Sequence, residues 1–155
     1  MTPQERVLSD EAYQALEHQV MILIRRSKRA IALRAQMVHP ELYPAGYLML
    51  ALLAERGPSR PSTIAEVFEL DKGATSRQVQ QLVDLGLVDR EPDPDDRRAS
   101  LLTPTDLALR GLAEVRDVRR ARLSRRLGEW DEEDMADFIN RLRRYNEMLE
   151  GPELP

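Results

Sequence analysis

Cysteine is absent from the 155 residues, which excludes disulfides, thiolate zinc sites, thiol nucleophiles and thiol redox switches. Histidine is nearly absent. His18 and His39 stand alone without a clustered ligand pattern, so no metal site is expected. Aromatic residues are 5% of the chain, which favours an aliphatic, helix-rich core over an aromatic-rich β-sandwich. No apolar run approaches the ~18 residues of a membrane span. The opening MTPQERVLSDEAY lacks the basic-then-apolar pattern of a signal peptide. A cytoplasmic protein without a membrane partner fits these lacks. There is also no phosphate-binding glycine loop, no Ser-His-Asp arrangement and no metal-ligand cluster. Neither an enzyme nor a cofactor is expected; acidic pairs such as Glu132-Glu133 fall where a helix start explains them.

A strong excess of one charge is lacking too. The formal net charge is −4. Residues 129–155 hold 3 basic and 9 acidic side chains, whereas residues 104–128 hold 7 and 3. Residues 57–103 hold 6 and 9, a net −3. Composition alone therefore does not announce a nucleic-acid binder, and any such function must rest on where particular arginines sit.

What is present is helical periodicity. Tyr13, Leu16, Val20, Leu23, Ile24 and Ile31 recur at helical spacing over 10–38, with Ser9 as N-cap and Pro40 beyond the end. Pro44 opens a second helix, 44–56, apolar on nearly every side and stopped by Gly57-Pro58. Pro61 opens a short helix, 61–69, behind Arg60, a poor cap. Asp71 caps a fourth, 72–85, with Val79, Leu82 and Val83 inward and Gly86 closing it.

The period then changes. Leu87-Val88 lead into a strand, residues 91–96 read as a loop, and Ala99–Thr103 return. Thr103-Pro104-Thr105-Asp106 resembles a capping box for a long helix, 104–128. A last helix follows Asp131, with Met135, Phe138, Ile139, Leu142, Tyr145 and Leu149 in one stripe. Residues 151–155 read as a flexible tail. The expected class is mainly α with a small β-hairpin: a winged helix-turn-helix over 44–103, flanked by long terminal helices within one domain, 1–150.

The stretch DKGATSRQVQQLVDLGLVDREPDPDDRRASLLT, residues 71–103, resembles the MarR family of transcriptional regulators. Ser76-Arg77, Leu82, Gly86-Leu87-Val88 and Arg90 fit that family's recognition helix and its exit. Asp96-Arg97-Arg98, then Leu102-Thr103, fit its wing pattern of Asp, any residue, Arg, a spacer and Leu-Thr. The family's usual glycine soon after Leu-Thr is replaced here by Leu107 or its neighbours. The resemblance covers about residues 10–150. It implies a ligand-responsive repressor that binds a pseudo-palindromic operator in double-stranded DNA as a homodimer, with 10–38 and 104–150 as dimerisation helices.

The residues themselves suit that role. With Val79, Leu82 and Val83 inward, Thr75, Ser76, Gln78 and Gln81 are expected outward, where such groups read base edges in the major groove. Arg77 suits guanine or a phosphate, and Lys72 joins the basic set. Gly73 and Ala74 let the backbone approach a phosphate at the helix start. Arg90, Asp96, Arg97 and Arg98 form the wing's contribution. One of Arg97 and Arg98 is expected in the minor groove, and Asp96 fixes the loop or holds an arginine. The run Arg116, Arg119, Arg120, Arg122, Arg125, Arg126 is expected to pair with the acidic C-terminal segment.

The resemblance also implies a small aromatic effector. Met37, His39, Tyr43 and Tyr47 are the candidates to line its pocket, unless they are only helix-junction core and surface. The net −3 of residues 57–103 supports a different class of function: a winged-helix protein-interaction module without DNA binding.

Overall fold

The computed structural model describes residues 8–96 and 98–149. The chain divides after Val115 into two units, and α5 crosses the division. The first unit holds α1 (Asp10–Val38), α2 (Pro44–Arg56), α3 (Pro61–Val67), α4 (Lys72–Asp84), β1 (Val88–Pro92), β2 (Ser100–Pro104) and the start of α5 (Asp106–Arg126). The second holds the rest of α5 and α6 (Glu132–Leu149). Mainly helical architecture with one antiparallel hairpin is the class expected from the sequence.

α1 begins at Ser9, whose hydroxyl accepts from the Ala12 N–H at 3.3 Å. Asp10 and Glu11 complement the helix dipole there. The helix stops at His39, which turns extended ahead of Pro40. Only Ala35 is buried, although α1 has 29 residues and so spans about 43 Å. Its expected stripe is mostly open: Tyr13, Leu16, Leu23 and Ile24 are exposed.

The core of the first unit gathers around α2. Met49, Leu50 and Leu53 pack with Ile64 of α3, Val79 and Leu82 of α4, Leu87 and Val88 at the hairpin entrance, Leu102 of β2 and Ala108 of α5. Gly46 is required by close packing: a Cβ there would lie 2.9 Å from Leu42 Cδ1.

The helix-turn-helix is built from two similar helix ends. At α4 the Leu87 N–H reaches Leu82 O and the Gly86 N–H reaches Val83 O, with Gly86 left-handed at φ 67°. At α3 the Leu70 N–H reaches Ala65 O and the Glu69 N–H reaches Glu66 O. Here the left-handed position, φ 51°, is occupied by Glu69. That turn ends α3 at Val67, two residues before the boundary expected from periodicity.

The hairpin differs from its expected bounds. β1 runs through Glu91 and Pro92, which pair with Leu101 and Ser100, so the connection between the strands starts at Asp93 and not at Glu91. Proline is tolerated because it sits at the end of an outer strand, where no ladder donor is lost. β2 continues to Pro104, opposite Val88. Thr103 therefore does not cap α5, and its buried hydroxyl has no partner among the described residues. Thr105 takes that role: its hydroxyl accepts from the Ala108 N–H and donates to Gly86 O at 2.8 Å. The start of α5 is thereby stitched to the end of α4. A further bridge joins Ser59 to Leu102 through both backbone bonds, at 2.9 and 3.2 Å.

In the second unit, Asp131 caps α6 by accepting from the Asp134 N–H at 2.8 Å. Trp130 meets Phe138 edge-to-face, with ring centroids 5.6 Å apart. α6 buries none of its residues.

Left-handed backbone costs a side-chain-bearing residue roughly 1 kcal/mol. Glu69→Gly is expected to raise unfolding free energy by up to about 1 kcal/mol, read from urea denaturation. A loss of stability would show that the Glu69 side chain outweighs its backbone cost.

Candidate nucleic-acid interface

α4 presents a narrower polar face than its sequence suggested. Val79 and Leu82 point inward, as does Thr75, which is 3% exposed and donates its hydroxyl to Asp71 O at 3.0 Å. Thr75 is therefore part of the helix's anchorage and does not face outward. Gln81 is also withdrawn. Its Nε2 donates to Glu41 O at 3.0 Å, which ties α4 to the link between α1 and α2. Gln78 is half-buried, and its Oε1 is buried without a partner among the described residues. The exposed residues are Lys72, Gly73, Ser76, Arg77, Gln80 and Asp84. Gln80 was missed by sequence reasoning. Its position opposite Thr75, Val79 and Leu82 on a 3.6-residue period was the available signal. It donates to Asp84 at 2.8 Å.

The start of α4 is occupied by its own cap. Asp71 Oδ1 accepts from the Ala74 N–H at 2.8 Å. That bond holds the carboxyl below the usual range, helped less by the Gly73 N–H and the Arg77 charge. The Ala74 amide is thus not free for a phosphate, contrary to expectation. A Cβ at Gly73 would come within 3.1 Å of Asp71 Oδ1, so glycine suits this packed start.

The wing is fixed by an ion pair that the sequence did not announce. Arg60 Nε lies 2.6 Å from Asp93 Oδ2, and the Asp93 side chain is only 4% exposed. The other carboxylate oxygen accepts from the Asp95 N–H at 2.9 Å. The hydrogen bond from Arg60 lowers the Asp93 pKa most, with the Asp95 N–H next, against the opposing effect of burial. The available signal was Arg60 itself: a poor cap at a helix start is free for another task.

Beyond this latch, Asp96 organises the turn. Its Oδ1 accepts from the Arg98 N–H at 3.0 Å, and its backbone O accepts from Ala99. Asp96 thus holds the backbone of Arg98. The Arg98 side chain is exposed, and Arg97 lies outside the described residues. Arg90 of β1 is exposed and reaches a cleft of about 530 Å³ that Lys72, Thr75, Ser76, Ala65 and Glu66 also line. One surface therefore combines α3, the first half of α4 and the wing strand.

The effector candidates are divided. Tyr47 belongs to the core. Met37 and Tyr43 are exposed, and His39 Nδ1 accepts from the Glu41 N–H at 3.2 Å. The arginine run of α5 also departs from expectation. Among the described residues its one ion pair is a 3.9 Å contact of Arg116 with Asp117, and none reaches α6.

A sequence model of the MarR family matches residues 44–99, from the start of α2 into the hairpin turn. The uncharacterized HTH-type transcriptional regulator YxaD of Bacillus subtilis (strain 168) is 34% identical over 132 residues, covering 84% of this chain and 90% of that protein. The chain belongs to the MarR family. RV1404 from Mycobacterium tuberculosis has the same fold, with a TM-score of 0.74 at 22% identity over 95% of this chain and all (100%) of that one. So does a MarR protein from Peptoclostridium difficile DA00132, with a TM-score of 0.69 at 17% identity over 96% and 93%. As a MarR-family transcriptional regulator, the chain is a DNA-binding winged helix-turn-helix protein. Among the described residues no helix is long and apolar enough to cross a membrane.

The latch has a pH signature with a definite sign. Asp93 is depressed in the fold, so its stabilisation is complete above the unfolded carboxylate pKa, about 3.9, and is lost as pH falls through the lower folded value. Proteolytic nicking at residues 92–99 is expected to be constant from about pH 5 to 8 and to rise below about pH 4. Asp93→Asn is expected to nick readily throughout. Equal protection of variant and parent across that range would show that the latch does not order the wing.

Proposed function

We propose that this chain is a ligand-responsive repressor that binds a pseudo-palindromic operator as a homodimer. The observation that carries the reading is the shared surface of α4 and a latched wing. Ser76, Arg77 and Gln80 project from the outer face of α4, beside Lys72. They have the chemistry to read base edges: Arg with guanine, Gln with adenine, Ser with several. Arg98, with Arg97, supplies the cation that enters an adjacent minor groove, where arginine reads width and A·T content. Arg90 reaches the same surface and suits a phosphate. Gly73 and Ala74 serve by close backbone packing at the helix start. Thr75, Gln78 and Gln81 hold α4 at its angle, as does Asp96 for the wing.

Homodimerisation is supported by the long ends of the chain. α1 leaves Tyr13, Leu16, Leu23 and Ile24 exposed, and α6 leaves Phe138, Ile139 and Leu142 exposed. A two-fold dimer would span half-sites one helical turn apart, ~34–36 Å. For a small aromatic effector, Met37, His39 and Tyr43 at the α1–α2 junction are the accessible contacts, with Tyr47 supporting them from the core.

A protein-interaction role without DNA is favoured by one observation, the net −3 of residues 57–103. Salt separates the two readings, because binding a duplex releases counterions. Affinity for the DNA flanking the protein's own gene is expected to fall linearly in log-log form as salt rises. Arg77→Ala is expected to cost ~1–3 kcal/mol and to relax preference at one base position. Arg97→Ala with Arg98→Ala is expected to weaken binding without changing major-groove preference. Binding of no duplex at any salt would favour the interaction module.

A further inference from the structure

Among the described residues, two side-chain hydrogen bonds tie α4 and its closing turn to the rest of the first unit. At the end, Thr105 donates to Gly86 O at 2.8 Å, just before the start of α5. Earlier in the helix, Gln81 Nε2 donates to Glu41 O at 3.0 Å. Val79 and Leu82 also hold α4 against the core, but apolar contacts are non-directional and set its depth more than its pitch. The pitch follows from the two polar points. Gln81 lies about 7.5 Å before Gly86 along the helix and Lys72 about 21 Å before it, so ~1 Å of movement at Gln81 becomes ~3 Å at Lys72.

Gln81 occupies a prepared place. Its Oε1 is buried, without a partner among the described residues, and lies 3.5 Å from where a Cβ on Gly46 would stand. Turning the amide over would set Oε1 against Glu41 O, two acceptors face to face, so the bond itself fixes the orientation. A buried oxygen without a donor is costly, and an apolar side chain of the same length would fill the space without that cost. Packing alone therefore does not account for glutamine here; its bond to Glu41 does.

Glu41 belongs to a stiff turn. The Leu42 N–H donates to His39 O at 3.0 Å, with Pro40 at the second position, where its fixed φ suits such a turn. His39 Nδ1 accepts from the Glu41 N–H at 3.2 Å. The turn continues directly from α1, whose last residue, Val38, sits against α5: a Cβ on Gly111 would lie 3.1 Å from Val38 Cγ1. The carbonyl that holds α4 is thus fixed to the place where α1 meets α5.

We infer that Gln81 is a positioning residue for DNA reading: through Glu41 it passes the placement of α1 and α5 to α4, and so sets the half-site spacing that two copies can read. The inference rests on the homodimer reading above. In a two-fold pair both reading helices tilt together, so a change of pitch in each adds across the dyad. A ligand that displaced the 39–42 turn would tilt α4 without touching DNA or the outer face of the helix.

Two variants of the full-length protein test this from opposite sides of the bond. Gln81→Met removes the bond and keeps the length of the side chain. Pro40→Gly loosens the turn and leaves Gln81 intact. Affinity is measured by fluorescence anisotropy for the duplex flanking the protein's own gene, and for versions with base pairs inserted or removed between the half-sites. The parent is expected to prefer one spacing. Gln81→Met is expected to bind that duplex about tenfold more weakly while binding the respaced duplexes as the parent does, so that discrimination falls. Pro40→Gly is expected to do the same, and the double variant to be no worse than either, because both act through one bond. Circular dichroism and sedimentation velocity verify that each variant is folded and dimeric. Additive losses would overturn the inference, as would losses equal on every duplex, which a merely structural role gives. Preference lost at one base position would make Gln81 a base contact and overturn it as well. Variants indistinguishable from a spacing-selective parent would overturn it while leaving the homodimer intact. A parent that is monomeric, or indifferent to spacing, would sink the homodimer reading itself.

Discussion

A single charged contact decides where the wing stands. Asp93 is nearly buried in a hairpin tip otherwise open to water, and Arg60 reaches it from the residue that precedes α3. The segment around Arg60 is itself attached to the hairpin, since Ser59 exchanges two backbone bonds with Leu102. The wing is thus anchored at its base by Val88 and Leu102 in the core, along β2 by Ser59, and near its tip by Arg60. A two-stranded hairpin without such support is marginal in water. An unpartnered Asp93 would be a buried charge, so losing Arg60 is the costlier way to break the contact; the Arg60 side chain itself is 42% exposed.

The same reasoning explains how a region of net −3 serves a DNA-binding family. Three of its nine acids are spent on structure. Asp71 caps α4, Asp93 closes the latch, and Asp96 holds the Arg98 backbone. Depressed pKa values at Asp71 and Asp93 mark carboxylates already stabilised by N–H donors, and Asp93 is buried as well. The cations are differently disposed: Lys72, Arg77, Arg90 and Arg98 are exposed. Net charge summed over residues hides this division, because a carboxylate facing inward and an arginine facing outward cancel only on paper.

Periodicity made the helices legible, and caps made most of their ends legible. Ser9, Pro44, Gly57, Asp71 and Gly86 each act as a local rule requires. Three features were not local. Glu69 adopts a left-handed turn where glycine is usual, so the end of α3 carried no mark. Thr105 replaced Thr103 as the cap because β2 pairs as far as Pro104, a matter of register. Gln81 faces Glu41, 40 residues away, and tertiary packing alone withdraws it. The candidate interface was therefore readable as a segment. Its outward members were not, apart from Ser76, Arg77 and the basic flanks; Thr75 shows how a polar residue in a good position can still belong to the core.

On the proposed reading, the Arg60–Asp93 pair holds the wing where it meets DNA. A double-mutant cycle on affinity for the operator duplex tests it most directly, using Arg60→Ala, Asp93→Ala and the two together. If the pair works as one latch, each single change weakens binding and the double change is no worse than either. Independent, additive losses, or unchanged affinity in all three variants, would contradict the account.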